Sequence, residues 1–192
     1  MKPIIVHSMG RCGSRTIYNT LRHNGIQARH CHYLTQLKRA GDVAADNIIK
    51  ALGMDVFVIV PIREPLSRNL SAYYHNYRDY NVNEFVKELP PSIYQDWFDA
   101  EIYGYWGVDV YRQELVNGWN IYGNMLVIRS ENFSQFGEAF KALTGQDAPQ
   151  LVSDGVTGGQ AYQRIKEMQI PQAYVDALKD TQYYKHFYMR QT

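Results

Sequence analysis

The feature that most constrains the fold is a stretch in the first third of the chain, residues 55–62 (DVFVIVPI), which is continuously apolar after Asp55. A strand that is apolar at successive positions, rather than at alternate ones, is typical of a parallel sheet covered on both faces. A short β-branched run at 3–6 predicts a first strand of the same kind. Because predicted strands alternate with predicted helices from the first residues onward, the sequence indicates an α/β fold with a central parallel sheet flanked by helices.

The other elements follow from helical spacing and from turn-forming residues. Ser14 is placed to cap a helix over 14–24, with Gly25 as its stop, and Pro65 is placed in the first turn of a later helix. Residues 81–123 are rich in aromatic side chains and are interpreted as an insertion. Further strands are predicted at 28–32 and 124–128, and further helices up to about residue 52 and at 133–143, 161–168 and 171–178.

The composition limits the classes of partner. With 192 residues the chain fits one domain, 1–192, since domains usually have about 100–200 residues. Lys and Arg total 20 against 19 for Asp and Glu, a net charge of +1, which argues against a nucleic-acid-coating or membrane-surface protein. Cys12 and Cys31 are too few for a disulfide framework, and the sequence shows no signal peptide and no apolar run of about 18 residues, so a cytoplasmic protein is expected.

A glycine-rich turn, residues 8–16 (SMGRCGSRT), separates the first strand from the first helix. Such a turn presents main-chain N–H groups and the positive end of a helix to an anion. Its glycines permit tight turning, and Ser14 and Thr16 add hydroxyl donors. Arg11 and Arg15 add charge that suits oxyanions. The alternative is a plain structural turn, but two arginines, two glycines and two hydroxyls within seven residues favour a phosphate site.

This loop is not a Walker A motif, which requires Gly, four residues and then Gly-Lys-Ser/Thr. Arg15 stands five residues after Gly10, and the loop contains no lysine. An ATP-dependent P-loop kinase is therefore kept only as an atypical alternative.

A second polar cluster follows the apolar run, at residues 63–74 (REPLSRNLSAYY). Arg63 lies at the carboxyl end of the predicted strand, where α/β folds bind ligands. Ser71 and Arg68 are predicted on the polar face of the following helix. Arg63 and Ser71 are therefore candidates to hold a second phosphate, and the alternative is a solvated helix start.

Together and in this order, the two clusters resemble the motifs of sulfotransferases that use 3′-phosphoadenosine 5′-phosphosulfate (PAPS). Residues 11–16 resemble the 5′-phosphosulfate loop of that family, Lys/Arg-x-Gly-Ser/Thr-Ser/Thr, with Arg15 where Ser or Thr is usual. Residues 63–73 match its 3′-phosphate motif, Arg-x-Pro-x-x-Arg-x-x-Ser-x-Tyr, throughout. The closer resemblance is to a bacterial group described as capsular polysaccharide synthesis proteins, and it is supported by residues 30–32, 107–111, 127–133 and 186–188.

The resemblance implies a three-layer P-loop fold of the sulfotransferase type. It also implies sulfuryl transfer from PAPS, without a metal, to a hydroxyl acceptor that is a glycan or a small metabolite. Arg11 would stabilise the charge on the leaving oxygen. The 5′-phosphate would be held by Arg11, Cys12, Gly13, Ser14, Arg15 and Thr16, and the 3′-phosphate by Arg63 and Ser71.

A base must take the proton of the acceptor hydroxyl, and histidine suits this role because its ordinary pKa lies near neutrality. Strand geometry predicts that His30 and His32 lie on one face. Related glycan sulfotransferases place a Glu or His base at the end of the second strand, so the resemblance selects His32. The alternatives are a structural, hydrogen-bonded His32 and a His-x-His metal pair with Cys12, for which no further ligand is evident.

The main alternative to an enzyme is a non-catalytic module on the same scaffold, which binds a nucleotide or a partner in polysaccharide synthesis. Two features motivate this alternative. Arg15 departs from the Ser or Thr that is usual at its position, and the chain is short, so that the acceptor-binding part must be small. Two further charged residues, Arg129 and Glu131, follow the strand at 124–128 and are interpreted as a structural ion pair.

Overall fold

The computed structural model describes residues 1–35, 38–77, 81–152, 163 and 167–189. No helix among them has both the length and the apolar character needed to traverse a bilayer. The strands are β1 (Ile4–His7), β2 (Ala28–Cys31), β3 (Phe57–Ile62), β4 (Trp119–Tyr122) and β5 (Met125–Arg129). The α-helices are α1 (Ser14–His23), α2 (Ala40–Ala51), α3 (Pro65–Tyr77), α4 (Val82–Glu88), α5 (Ile93–Trp97), α6 (Gly104–Trp106), α7 (Phe136–Thr144), α8 (Gln172–Asp180) and α9 (Gln182–Tyr184). Two π-helical turns cover Phe98–Tyr103 and Lys185–Met189, and two 3₁₀ turns cover Val110–Arg112 and Ser130–Gln135.

The described strands form a five-stranded sheet in the order β2-β1-β3-β5-β4. β1 pairs in parallel with both β2 and β3, and β3 pairs in parallel with β5. β3 therefore occupies the centre of the sheet, as its continuous apolar run predicts. β4 is antiparallel to β5, with Tyr122 opposite Met125. The fold is thus α/β with a mostly parallel sheet flanked by helices, which confirms the predicted fold class at that level.

Alternate side chains of each strand point to opposite faces of the sheet and join two separate clusters. On one face, Ile4 and Val6 pack with apolar residues of α1 and α7. On the other face, Ile5 and Val58 pack with apolar residues of α2, α5 and the π-helical turns. Both faces are therefore covered, which explains why β3 carries no polar side chain.

The aromatic-rich part of the chain covers one of these faces. Tyr94, Trp97 and Phe98 are buried there. The ring of Phe98 lies 5.2 Å from that of Tyr183, which in turn lies 5.0 Å from that of Phe187, measured between ring centres. The aromatic residues of α5 and the turn after it therefore complete the core under the sheet together with the last helical segment.

Two element predictions differ from the structure. The strand β4 was not predicted, because its four residues (WNIY) show no clear alternation of apolar and polar side chains. The helix predicted at 133–143 begins at Phe136, since a 3₁₀ turn occupies the preceding residues. The helix predicted at 161–168 lies for the most part outside the described residues.

We expect that Phe140→Ala lowers the free energy of unfolding by about 3–5 kcal/mol, because Phe140 is fully buried between α7 and the sheet and its removal leaves a cavity. Lys141→Ala, on the exposed side of the same helix, is the matched control and should cost less than about 1 kcal/mol. Urea unfolding followed by circular dichroism measures both. A cost below about 1 kcal/mol for Phe140→Ala would contradict this packing.

Candidate functional site

The two sequence motifs meet at the carboxyl ends of β1 and β3. From β1 the chain runs to β2 on one side, and it later returns to β3 on the other side of β1. The loops that follow β1 and β3 therefore leave the sheet side by side, at the point where the strand order reverses. Open α/β sheets bind their ligands in the crevice at such a point.

The loop after β1 turns tightly through two positions of positive φ. Arg11 has a φ of 74°, which is uncommon for a residue with a side chain, and Gly13 has a φ of 81°. A Cβ atom placed on Gly13 would lie 2.7 Å from the ring of Phe133. Both the backbone conformation and the close approach of Phe133 therefore require glycine at this position.

The first turn of α1 begins directly at this loop. Gly13 holds the N-cap position, so the prediction that Ser14 caps the helix is wrong. The Ser14 hydroxyl instead contacts His30 Nε2 at 2.9 Å. The N–H groups of Ser14, Arg15 and Thr16 have no main-chain acceptor among the described residues. The start of α1 thus offers donors of the kind that bind anions.

Three hydrogen bonds join the two motifs. Arg11 Nε donates to Ser71 Oγ at 3.1 Å, and Arg63 Nη1 donates to the carbonyl oxygen of Arg11 at 3.3 Å. Arg68 Nε donates to the carbonyl oxygen of Gly10 at 2.9 Å. The structure therefore brings Arg11, Arg63 and Ser71 together, although they are distant in sequence.

Arg68 contributes a buried charge to this contact, with only 6% of its surface exposed. Its Nη1 atom donates to Asn69 Oδ1 at 3.1 Å, and its guanidinium lies 5.5 Å from the centre of the Tyr94 ring. Among the described residues, no carboxylate lies within 4 Å of it. Sequence analysis placed Arg68 on the polar face of α3 and gave it no role in the site. Its place in the second motif was the signal that could have identified it.

Arg129 is a second buried arginine, 7% exposed, and it ends β5 beside Ile62 of β3. Its guanidinium lies 5.0 Å from the centre of the Tyr188 ring, and its Nε atom has no hydrogen-bond partner among the described residues. Burial lowers the pKa of Arg129. The predicted ion pair with Glu131 is not formed within 4 Å, because Glu131 Oε1 instead accepts the N–H of Glu64 at 2.9 Å. Sequence analysis therefore named Arg129 but did not predict that it is a buried cation without a carboxylate partner.

His32 is held at three of its polar groups. Its N–H donates to Asp42 Oδ1 at 2.8 Å, and its carbonyl oxygen accepts from Trp97 Nε1 at 2.8 Å. Its Nδ1 donates to the carbonyl oxygen of Ser8 at 2.6 Å. Because a carbonyl oxygen can only accept, Nδ1 carries the proton and Nε2 keeps a lone pair. A Cβ atom placed on Gly10 would lie 3.8 Å from this Nε2, so the nitrogen faces the loop.

His30 and His32 lie on one face, as strand alternation predicts, with ring centres 4.6 Å apart. Burial lowers the pKa of His32, and it lowers the pKa of His30 to about 4. Both rings are therefore neutral at pH 7. A neutral His32 with a lone pair on Nε2 is in the form that a general base requires.

The side chain of Cys12 joins the core under the sheet, and its sulfur lies 4.0 Å from the carbonyl oxygen of Gly10 in the same loop. Its buried thiol lies 3.1 Å from the hydroxyl of Tyr94, and burial raises the pKa of this thiol. A ligand in the loop would therefore meet the main chain of Cys12. By contrast, Arg15 is exposed and Thr16 is half-buried, both on the first turn of α1.

A buried polar network that sequence analysis did not predict lies close to the loop. Glu101 is 1% exposed, and its carboxylate accepts from the N–H of Leu34 and from the hydroxyl of Thr35. His7 Nε2 lies 3.3 Å from Glu101 Oε2, and His7 Nδ1 accepts from Trp106 Nε1 at 3.0 Å. Burial raises the pKa of Glu101, but its contacts with His7, Thr35 and Leu34 outweigh this and hold the pKa below its ordinary value. The carboxylate therefore ties β1, the segment after β2 and the π-helical turn Phe98–Tyr103 together.

Comparisons of the chain with protein-family models, with curated proteins and with solved structures return no match. Its function must therefore be inferred from its residues and from the contacts between them.

We expect that Gly13→Ala lowers the free energy of unfolding by about 1–3 kcal/mol. An alanine at a φ of 81° costs about 1–2 kcal/mol, and its Cβ would collide with Phe133. Gly137→Ala is the matched control, because it lies in α7 with nothing within 4 Å of its Cβ position and should stabilise the protein by about 0.5–1 kcal/mol. Thermal or urea unfolding measures both, and unchanged stability of Gly13→Ala would argue against this loop geometry.

Proposed function

We propose that the protein transfers a sulfuryl group from PAPS to a hydroxyl acceptor. The observation that carries the proposal is the contact between the two motifs, in which Arg11, Arg63 and Ser71 come together beside the buried Arg68. PAPS bears phosphate groups at both its 5′ and its 3′ positions and therefore needs two neighbouring anion sites. The first motif provides one such site and the second motif provides the other.

The residues present fit a donor of this charge. Arg68 and Arg129 are buried, and neither has a carboxylate within 4 Å among the described residues. A buried charge without a counter-charge is costly, and phosphate oxygens are well suited to pair with guanidinium groups. In keeping with the resemblance, we assign the 5′-phosphate to loop residues 11–16 and the 3′-phosphate to Arg63 and Ser71.

Sulfuryl transfer resembles phosphoryl transfer, in which positioning and electrostatic stabilisation provide most of the catalysis. The acceptor oxygen forms a bond to sulfur while the bond from sulfur to the bridging phosphate oxygen breaks. The electron pair of the broken bond stays on that oxygen, where negative charge grows. We assign Arg11 to this charge, because its guanidinium reaches from the first loop to Ser71 of the second motif.

The acceptor hydroxyl must lose its proton during the reaction, and we assign this proton to His32 Nε2. The hydrogen bond from Nδ1 to Ser8 fixes the tautomer in which Nε2 accepts. Asp42 and Trp97 hold the main chain of His32, so the ring is positioned without the help of a ligand. Its lowered pKa, caused by burial, keeps it able to accept a proton at neutral pH.

We expect the chain to bind 3′-phosphoadenosine 5′-phosphate in preference to ADP, with or without magnesium. Arg63→Ala should weaken this binding by about 10- to 100-fold, because a hydrogen bond to a charged group contributes about 1.5–3 kcal/mol. Arg22→Ala is the control: it removes the same charge from the exposed last turn of α1, away from the loop, and should leave the affinity within about twofold. Isothermal titration calorimetry measures all three proteins.

Two other results would replace the proposal. Magnesium-dependent binding of ADP, with no preference for the 3′-phosphate, would favour the atypical kinase. Tight binding of 3′-phosphoadenosine 5′-phosphate with no sulfate transfer from radiolabelled PAPS to any member of a broad acceptor panel would favour the non-catalytic module.

We expect kcat/KM for sulfate transfer to fall as the pH is lowered, because only the neutral form of His32 accepts a proton. Burial lowers the pKa of His32 from 6.5, so the pH at which kcat/KM is half of its maximum should lie below 6.5. His32→Ala should abolish this acidic limb and reduce kcat by about 10²–10⁴-fold, with unchanged binding of 3′-phosphoadenosine 5′-phosphate. His75→Ala, which removes an exposed histidine of α3, is the control and should keep the wild-type profile. An acidic limb that survives in His32→Ala would assign the base to another residue.

A further inference from the structure

A cavity of about 460 Å³ lies between the loop after β1 and the helical segment at 93–104. Sites for small molecules usually measure about 300–1,000 Å³. Its walls are mostly apolar and include Met9, Tyr33 and Trp97. None of the residues assigned to the donor lines it.

The cavity adjoins the residue assigned as the base. Met9 follows Ser8, whose carbonyl oxygen accepts the Nδ1 proton of His32. Tyr33 follows His32 in the chain, and Trp97 donates to the carbonyl oxygen of His32. The cavity therefore takes its wall from residues that adjoin His32 or are hydrogen-bonded to it and from the loop after β1, while His32 itself does not line it.

The charged groups of the cavity wall are carboxylates. Asp96 is exposed in the wall and Glu101 is buried in it, and no described basic side chain lines the cavity. Despite burial, the contacts of Glu101 with His7 and Thr35 hold its pKa below the ordinary value, so it is ionised at neutral pH. A carboxylate or sulfate group on a bound compound would face these charges in a partly desolvated space and would be repelled.

We propose that this cavity is the acceptor site, and that it takes uncharged or cationic hydroxyl compounds with an apolar body and rejects anionic glycans. The inference rests on the proposed function and narrows the acceptor class that the motifs leave open. An apolar body gains free energy by contact with Met9, Tyr33 and Trp97, and an ammonium group is attracted by Asp96 and Glu101. The arginines of the donor loop alone would have suggested the opposite preference.

Three phenols of nearly equal size test the charge preference: tyramine is cationic, 4-ethylphenol is uncharged and 3-(4-hydroxyphenyl)propionate is anionic at pH 7. Titration of the full chain, monitored by NMR without nucleotide, measures their binding. We expect tyramine and 4-ethylphenol to bind at least about threefold more tightly than the propionate. Equal affinity for all three, tighter binding of the propionate, or no binding of any of them would overturn the proposal.

Substitutions in the cavity wall test whether the three phenols bind in the cavity. Ala100→Phe, at an exposed position of the cavity wall, should weaken all three phenols by about tenfold or more and leave the affinity for 3′-phosphoadenosine 5′-phosphate within about twofold. Asp96→Lys should make the propionate the tightest ligand of the three. Glu138→Lys makes the same charge change on α7, the helix that packs on the opposite face of the sheet, and should keep the wild-type order.

The outcomes separate the two proposals. Unchanged phenol binding in Ala100→Phe, or an unchanged order in Asp96→Lys, would overturn the acceptor site. Failure of the wild-type chain to bind 3′-phosphoadenosine 5′-phosphate would overturn the proposed function instead, because the phenol titrations contain no nucleotide.

Discussion

The guanidinium of Arg68 joins the candidate site to the core of the protein. It donates to the carbonyl oxygen of Gly10 and to Asn69 Oδ1, and Asn69 Nδ2 donates to the hydroxyl of Tyr174 at 2.9 Å. That hydroxyl donates to the carbonyl oxygen of Leu89 at 2.6 Å. A continuous series of hydrogen bonds therefore runs from the loop after β1 through α3 to α8 and the end of α4. Since a buried cation is stabilised only while its acceptors stay in place, the shape of the loop and the packing of these helices depend on the same group.

Those parts of the fold whose signals are local could be predicted from the sequence. The apolar run at 55–62 predicts the central strand, Gly25 predicts the end of α1, and Pro65 predicts the start of α3, as observed. β4 was missed because four residues are too few to show a period. Its signal was the Gly123-Asn124 pair between β4 and β5, a dipeptide typical of two-residue hairpin turns.

The candidate site was predictable only where chain topology brings its parts together. The carboxyl ends of adjacent parallel strands share one edge, so Arg11 and Arg63 could be expected to be neighbours. The burial of charged side chains could not be predicted in this way. The roles of Arg68, Arg129 and Glu101 depend on partners that only tertiary packing selects, such as the N–H of Leu34, which is 67 positions from Glu101. Propensity and periodicity carry no information about such contacts, and this is why these three residues were absent from the predicted site.

The charges of the site are arranged in the way that the proposed sulfuryl transfer would require. Permanent positive charge is concentrated at the loop after β1, near Arg11 and Arg68, where the proposed reaction would develop negative charge as the donor bond breaks. Negative charge is concentrated on the cavity side, where Glu101 lies in the wall. His32 lies between the two and is neutral, because burial lowers its pKa. A cationic residue in its place could not accept a proton, whereas the neutral ring of His32 can. Under the proposed function, the burial that lowers the pKa of His32 would therefore serve the chemistry as well as the packing.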